Sequence, residues 1–253
     1  MSATPSDPPP LSVVLVHGAF ADASSWNGVV QRLQAAGLRV AAPANPLRGI
    51  SVDSAYVASY LDQIPGPVLV VGHSYGGAVI SNAATNASNV VGLVFVAAFA
   101  TDEGERLGDV AASSRDSVLG AAQVPLNYPT GSGADTAVEL AIDPAKFRDA
   151  FAADLPPEQT AMMAATQRPV AQSAFSEPSG PPAWKAKPSW AVVATGDKAA
   201  GADVTRSMAQ RAGADITEAN GSHVIMISQP DTVVGVILTA AAAVGHPASS
   251  AST

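Results

Sequence analysis

The stretch VLVVGHSYGGAVI, residues 68–80, puts a serine where a β-branched run gives way to a small-residue, helix-like pattern. Gly72-His73-Ser74-Tyr75-Gly76 fits G-x-S-x-G with a strand before it and a helix after it, the setting that makes such a serine a nucleophile. The turn is so tight that only small residues two before and two after the serine let strand and helix approach, and the serine backbone is strained. The side chain is then presented at the carboxyl edge of a sheet, and the helix N-terminus behind it favours developing negative charge. A purely structural Gly-Ser turn is the blander reading, so the partners must decide.

A serine hydroxyl needs a base, and the chain has four histidines. His73 belongs to the elbow and should point away from Ser74. His17 closes the first apolar run, where His17-Gly18 reads as loop, and His246 lies in the C-terminal tail. Elimination leaves His223, in NGSHVIMISQP, between the last strand and the last helix, although a lone loop histidine is more often structural.

The imidazole in turn needs a carboxylate to fix its tautomer and stabilise its charged form. Asp197, in AVVATGD, directly follows a strand and keeps the order serine, acid, histidine. Its competitors are Asp102, after the strand that follows the elbow, and Asp203, at a helix start where capping is the simpler role. Two donors should face the oxyanion: the N–H of Tyr75, and one from the loop His17-Gly18-Ala19-Phe20. There Gly18 permits close approach, and Ala19 is preferred over Phe20.

The elements that must position these groups are legible in outline. Apolar runs at residues 11–16, 39–42, 68–71, 91–97 and 189–194 read as strands, and residues 215–218 as the strand that completes the core. Helical patterns alternate with them: one capped by Ser24 or Ser25, then residues 54–61, 75–84, 204–212 and 230–244. Near-continuous Val/Ile/Leu strands alternating with helices imply an α/β architecture, a mostly parallel central sheet covered by helices on both faces. Residues 101–187 break the pattern with Pro, Gly, Ser and short helical pieces, and read as a helical lid. The expected organisation is an arm at 1–10, one domain at 11–245 carrying that lid, and a tail at 246–253.

At 253 residues with 47% hydrophobic and 13% charged residues, the chain can build one sizeable core. A net charge of −8 without any basic run excludes nucleic acid and an anionic membrane surface as expected partners. The absence of cysteine removes thiolate catalysis and Cys-based zinc sites. The first ten residues lack a signal-peptide pattern and no run is long enough for a membrane span, so a cytoplasmic location is expected. No metal motif, P-loop or dinucleotide fingerprint is present, and no cofactor is expected.

Over residues 11–245 the sequence resembles the α/β-hydrolase superfamily, and more narrowly the branch of plant methylesterases, hydroxynitrile lyases and small bacterial esterases. VLVHGAFADASSW, GHSYGG, LVFVAAFATDEGE and GSHVIMISQP carry the resemblance. It implies an ester hydrolase with Ser74 as nucleophile, His223 as base and Asp197 as acid, a helical lid over an apolar pocket, and no cofactor. Hydroxynitrile lyases of this branch carry a threonine after the first-strand histidine and a lysine after the catalytic one. This chain has Gly18 and Val224 there, which favours hydrolysis.

Phe20, Tyr75 and Phe99 adjoin the motif loops, and Met162, Met163, Phe175 and Trp184 are the apolar lid residues expected to face a pocket. Met162-Met163 could equally pack lid against core. Few charges lie near the motifs, so the expected substrate is a small, mostly apolar ester. Two other readings use the same scaffold: a lactone or carbon–carbon bond hydrolase or lyase, and a ligand-sensing protein with slow turnover.

Overall fold

The computed structural model describes residues 9–131 and 133–245. Residues 1–8 of the expected arm, the expected tail and His246 therefore lie outside the described residues.

Six strands form one parallel sheet: β1 (Ser12–Val16), β2 (Arg39–Ala41), β3 (Val68–His73), β4 (Val90–Val96), β8 (Ser189–Ala194) and β9 (Asp215–Ala219). Their spatial order is β2-β1-β3-β4-β8-β9, every neighbouring pair parallel. Every residue of β1, β3 and β8 is buried, on alternate sides of the sheet, so both faces are covered. The covering helices are α1 (Asn27–Ala35), α2 (Ile50–Asp62), α3 (Tyr75–Ala83), α9 (Ala202–Arg211) and α11 (Pro230–Ala243). Helix α1 packs with α11 and α2 with α3.

Register decides where the chemistry sits. Val16 pairs with Gly72, Gly72 with Phe95 and Phe95 with Ala191, while Ala194 pairs with Ala219. The segments leaving β1, β3, β4, β8 and β9 thus emerge along one carboxyl edge of the sheet, the edge where open parallel sheets bind ligands.

The segment between β4 and β8 is helical in part, as the sequence suggested, but it is not helical alone. It carries helices α4 (Leu107–Ala112), α5 (Leu119–Ala122), α6 (Pro144–Phe151), α7 (Pro157–Thr166) and α8 (Ser173–Ser176). It also builds a three-stranded antiparallel sheet from β5 (Gln123–Pro129), β6 (Thr136–Ile142) and β7 (Val170–Ala171). This sheet leaves no continuous apolar run. Strand β5 is an edge strand, largely exposed, with prolines at 125 and 129, where missing N–H groups cost no ladder bond.

Two helix starts also differ from expectation. The first helix is entered through a 3-10 turn at Ala23–Trp26, capped by Asp22, whose side chain accepts from the Ser24 N–H. Helix α2 begins a turn earlier than its apolar pattern, after Gly49 at φ 143°. The last short helix, α10 (Ile225–Ser228), links the His223 loop to α11. Among the described residues no helix is long and apolar enough to cross a membrane.

Candidate active site

Ser74 stands between β3 and α3 at φ 53°, ψ −124°, a conformation that side-chain-bearing residues rarely adopt. Its glycine neighbours are there because backbones touch. A Cβ on Gly72 would lie 2.6 Å from the Gly76 carbonyl oxygen, and one on Gly76 would lie 2.5 Å from that of Val16. Gly77 meets the Phe99 carbonyl oxygen at 2.6 Å in the same way. The turn is locked by the Ser74 carbonyl, which accepts from the N–H of Gly77 at 2.9 Å and of Phe99 at 3.2 Å.

Across the edge, His223 and Asp197 form a buried pair. Nδ1 of His223 lies 2.8 Å from Oδ2 of Asp197, and both side chains are within 1% of full burial. The other carboxylate oxygen of Asp197 accepts from the N–H groups of Ala199 and Ala200 at 2.8 and 3.0 Å. With Asp197 as acceptor, Nδ1 carries the hydrogen and Nε2 is the nitrogen left to act as base. Ser74 Oγ forms no hydrogen bond with the His223 imidazole in this structure. The elbow and the histidine loop nevertheless touch, because the rings of His73 and His223 lie 4.6 Å apart.

The competing acids are committed elsewhere. Asp102 pairs with Lys185 and accepts from the Glu103 N–H. Asp203 accepts from Ser114 Oγ and the Arg115 N–H, tying the insertion to the start of α9. His17 is buried and structural: its Nε2 accepts from the Asn45 N–H at 2.9 Å, and Nδ1 bonds the Gly18 carbonyl at 2.9 Å. Burial pulls its pKa down to about 4, so it is neutral at pH 7.

The loop after β1 lies against the serine. A Cβ on Gly18 would be 2.6 Å from that of Ser74. The Phe20 N–H is spent on the Arg168 carbonyl at 3.1 Å, whereas those of Ala19 and Tyr75 have no acceptor among the described residues. The Tyr75 side chain is anchored from below, its hydroxyl donating to the buried Asp53 carboxylate at 2.7 Å.

The expected pocket residues divide. Phe20, Met162 and Met163, with Ile227, line a cavity of about 350 Å³ between α7 and the 3-10 turn. Phe175 lines a different cavity of about 420 Å³ with Val118, Leu119 and Leu140. Phe99 and Trp184 line neither of these. Phe99 is buried and buttresses the elbow through its main chain, and Trp184 donates Nε1–H to the Thr101 carbonyl at 3.0 Å. Side-chain apolarity alone could not sort these four roles.

Sequence reasoning missed Phe151, whose ring lies 5.0 Å from His223 and 6.2 Å edge-on to Phe20, joining the insertion, His223 and the cavity. It also missed Asp154, whose carboxylate accepts from the N–H of Ser222 at 3.0 Å and from its hydroxyl. Nothing in their local sequence marks either residue. Among the described residues no group of three or more His, Cys, Asp or Glu side chains is arranged to hold a metal.

Residues 13–236 match the model of the alpha/beta hydrolase family. The chain belongs to that family. Among solved structures, this α/β hydrolase is similar to polyneuridine aldehyde esterase at 19% identity and a TM-score of 0.75, covering 92% of this chain and 100% of the other. It is also similar to a pyrethroid hydrolase from Sphingobium faniae JZ-2, at 22% identity and TM-score 0.71, over 93% and 98% of the two chains. A methylesterase from Arabidopsis matches at 19% identity and TM-score 0.73, over 92% and 99%. At these identities the likeness concerns the fold. No match was found among curated proteins.

Proposed function

We propose that this α/β hydrolase cleaves small, mostly apolar carboxylic esters through an acyl-enzyme. His223 Nε2 takes the Ser74 proton as Oγ attacks the ester carbonyl, and Asp197 holds the imidazole and stabilises its charged form. The N–H groups of Ala19 and Tyr75 receive the oxyanion. His223 then protonates the leaving alcohol, and a water activated by the same nitrogen attacks the acyl-enzyme, returning the proton to Ser74 Oγ.

The observation that carries this reading is the buried His223–Asp197 pair at 2.8 Å, on a loop in ring contact with the strained elbow of Ser74. The names of the similar structures, an esterase, a methylesterase and a pyrethroid hydrolase, are consistent with it. The cavity beside Phe20 mixes apolar side chains (Phe20, Met162, Met163, Ile227) with neutral polar ones (Asn27, Gln159), and Asp22 is its single charged lining residue, which favours a neutral ester over a charged one. The Gly18 position has no room for the threonine of hydroxynitrile lyases, which argues against cyanohydrin chemistry.

The test is the initial hydrolysis rate on p-nitrophenyl esters of increasing acyl length, for the native chain and for Ser74→Ala. Turnover by the native chain alone is expected, with the length preference sizing the cavity. Equal rates for the two proteins would remove Ser74 from the reaction.

A further inference from the structure

The elbow histidine, which plays no part in the proton transfers above, is tied to the base. His73 is fully buried, and its Nε2 lies 3.0 Å from the main-chain carbonyl oxygen of His223, a residue 150 positions away. A carbonyl only accepts, so Nε2 carries the hydrogen and the neutral ring is the Nε2–H tautomer. The other nitrogen, Nδ1, is buried and has no hydrogen-bond partner. Trp26 stands edge-on to the same ring at 6.3 Å, and the His223 ring tilts against it at 4.6 Å.

We infer that His73 is a positioning residue for the base: its Nε2–H holds the His223 main chain against the elbow, so that the imidazole meets Ser74 at a fixed distance. This rests on reading His223 as the base. Asp197 fixes the ring at Nδ1 and His73 fixes the backbone from the other side, and two such points define where Nε2 sits. An apolar side chain of the same size would fill the space without that second point. Of the ionisable groups that influence His73, the first is His223 and the second is His17, and both are imidazoles. Burial, and then the facing His223, hold the pKa of His73 well below its ordinary value. It therefore stays neutral, and adds no second positive charge beside His223 when that ring takes up the serine proton.

Two variants test this. His73→Gln puts an amide N–H near the place of Nε2, and His73→Met fills the site without a donor. Native-like folding of both is checked by circular dichroism. We expect kcat of His73→Met to fall about 30-fold with KM within about twofold, since a small displacement of a reacting group costs that order. His73→Gln should retain kcat within about threefold. An unchanged kcat in the Met variant, or an equal fall in both, overturns the inference.

Labelling of Ser74 by a fluorophosphonate gives the same comparison without any ester. A native chain that labels but hydrolyses no ester refutes the substrate reading, while the ratio of labelling rates still judges His73. If the Met variant does not fold, ¹⁵N spectra of histidine-labelled native protein decide. They should show one Nε2–H imidazole that does not titrate between pH 5.5 and 8. A titrating His73, or the Nδ1–H tautomer, overturns the inference.

Discussion

The two loops that meet at the carboxyl edge are held by opposite means. The Ser74 elbow is fixed by backbone packed on backbone, with carbonyl oxygens where the Cβ atoms of Gly72, Gly76 and Gly77 would be. The His223 loop is fixed by side chains reaching in from three parts of the chain: Asp197 on the ring, His73 on the carbonyl, and Asp154 on Ser222. Contact through backbone leaves a mark in local sequence, because only glycine fits. Contact through distant side chains left no such mark at Asp154, nor any sign that His73 reaches the His223 loop.

Breaking the side-chain grip at its centre gives the largest effect. Asp197→Asn keeps the shape but favours the wrong imidazole tautomer. The kcat for ester hydrolysis should drop about 10⁴-fold, about 5 kcal/mol of barrier. A loss under tenfold in steady-state kinetics would assign the acid role elsewhere.

Breaking the backbone contact comes next. Gly76→Ala forces a Cβ onto the Val16 carbonyl and should cost about 3–4 kcal/mol of stability in urea denaturation. Gly235→Ala in α11 is the matched control, since nothing lies within 4 Å of its Cβ position. Helix propensity should make that variant neutral or slightly more stable. Similar losses at both sites would contradict the contrast drawn between them.

Acid should then loosen the loop after β1. Above pH 6.5 His17 is neutral whether the chain is folded or not, and it contributes no pH dependence. Below that, the unfolded chain takes up a proton that the folded one refuses until about pH 4. Stability should fall across this window by up to about 3 kcal/mol and level off beneath it. His17→Gln keeps an acceptor for the Asn45 N–H without titrating, so its melting temperature should vary less over the same pH range. An identical pH dependence in the two proteins would exclude His17 as the cause.

The smallest expected effect is at the insertion. Asp154→Ala removes two hydrogen bonds to Ser222 at a partly exposed site. About 1 kcal/mol of stability and less than tenfold in kcat should be lost. A larger kcat loss with unchanged stability would raise Asp154 to the rank of His73.

The sequence by itself determined the sheet and the strained turn at Ser74, and it marked the residues on which the proposed chemistry rests. Continuous apolar runs required strands covered on both faces, and G-x-S-x-G between strand and helix required the strained serine. Elimination among four histidines singled out His223. The hairpin of the insertion escaped because an exposed edge strand needs no apolar run, and prolines can sit on it. Tertiary structure alone decided that Phe20 faces a cavity while Trp184 is bonded to the Thr101 carbonyl, and that Phe151, Asp154 and His73 converge on one loop. The physical reason is range. Periodicity and glycine spacing record interactions a few residues apart, whereas the grip on His223 closes distances of up to 150 residues that no local pattern encodes.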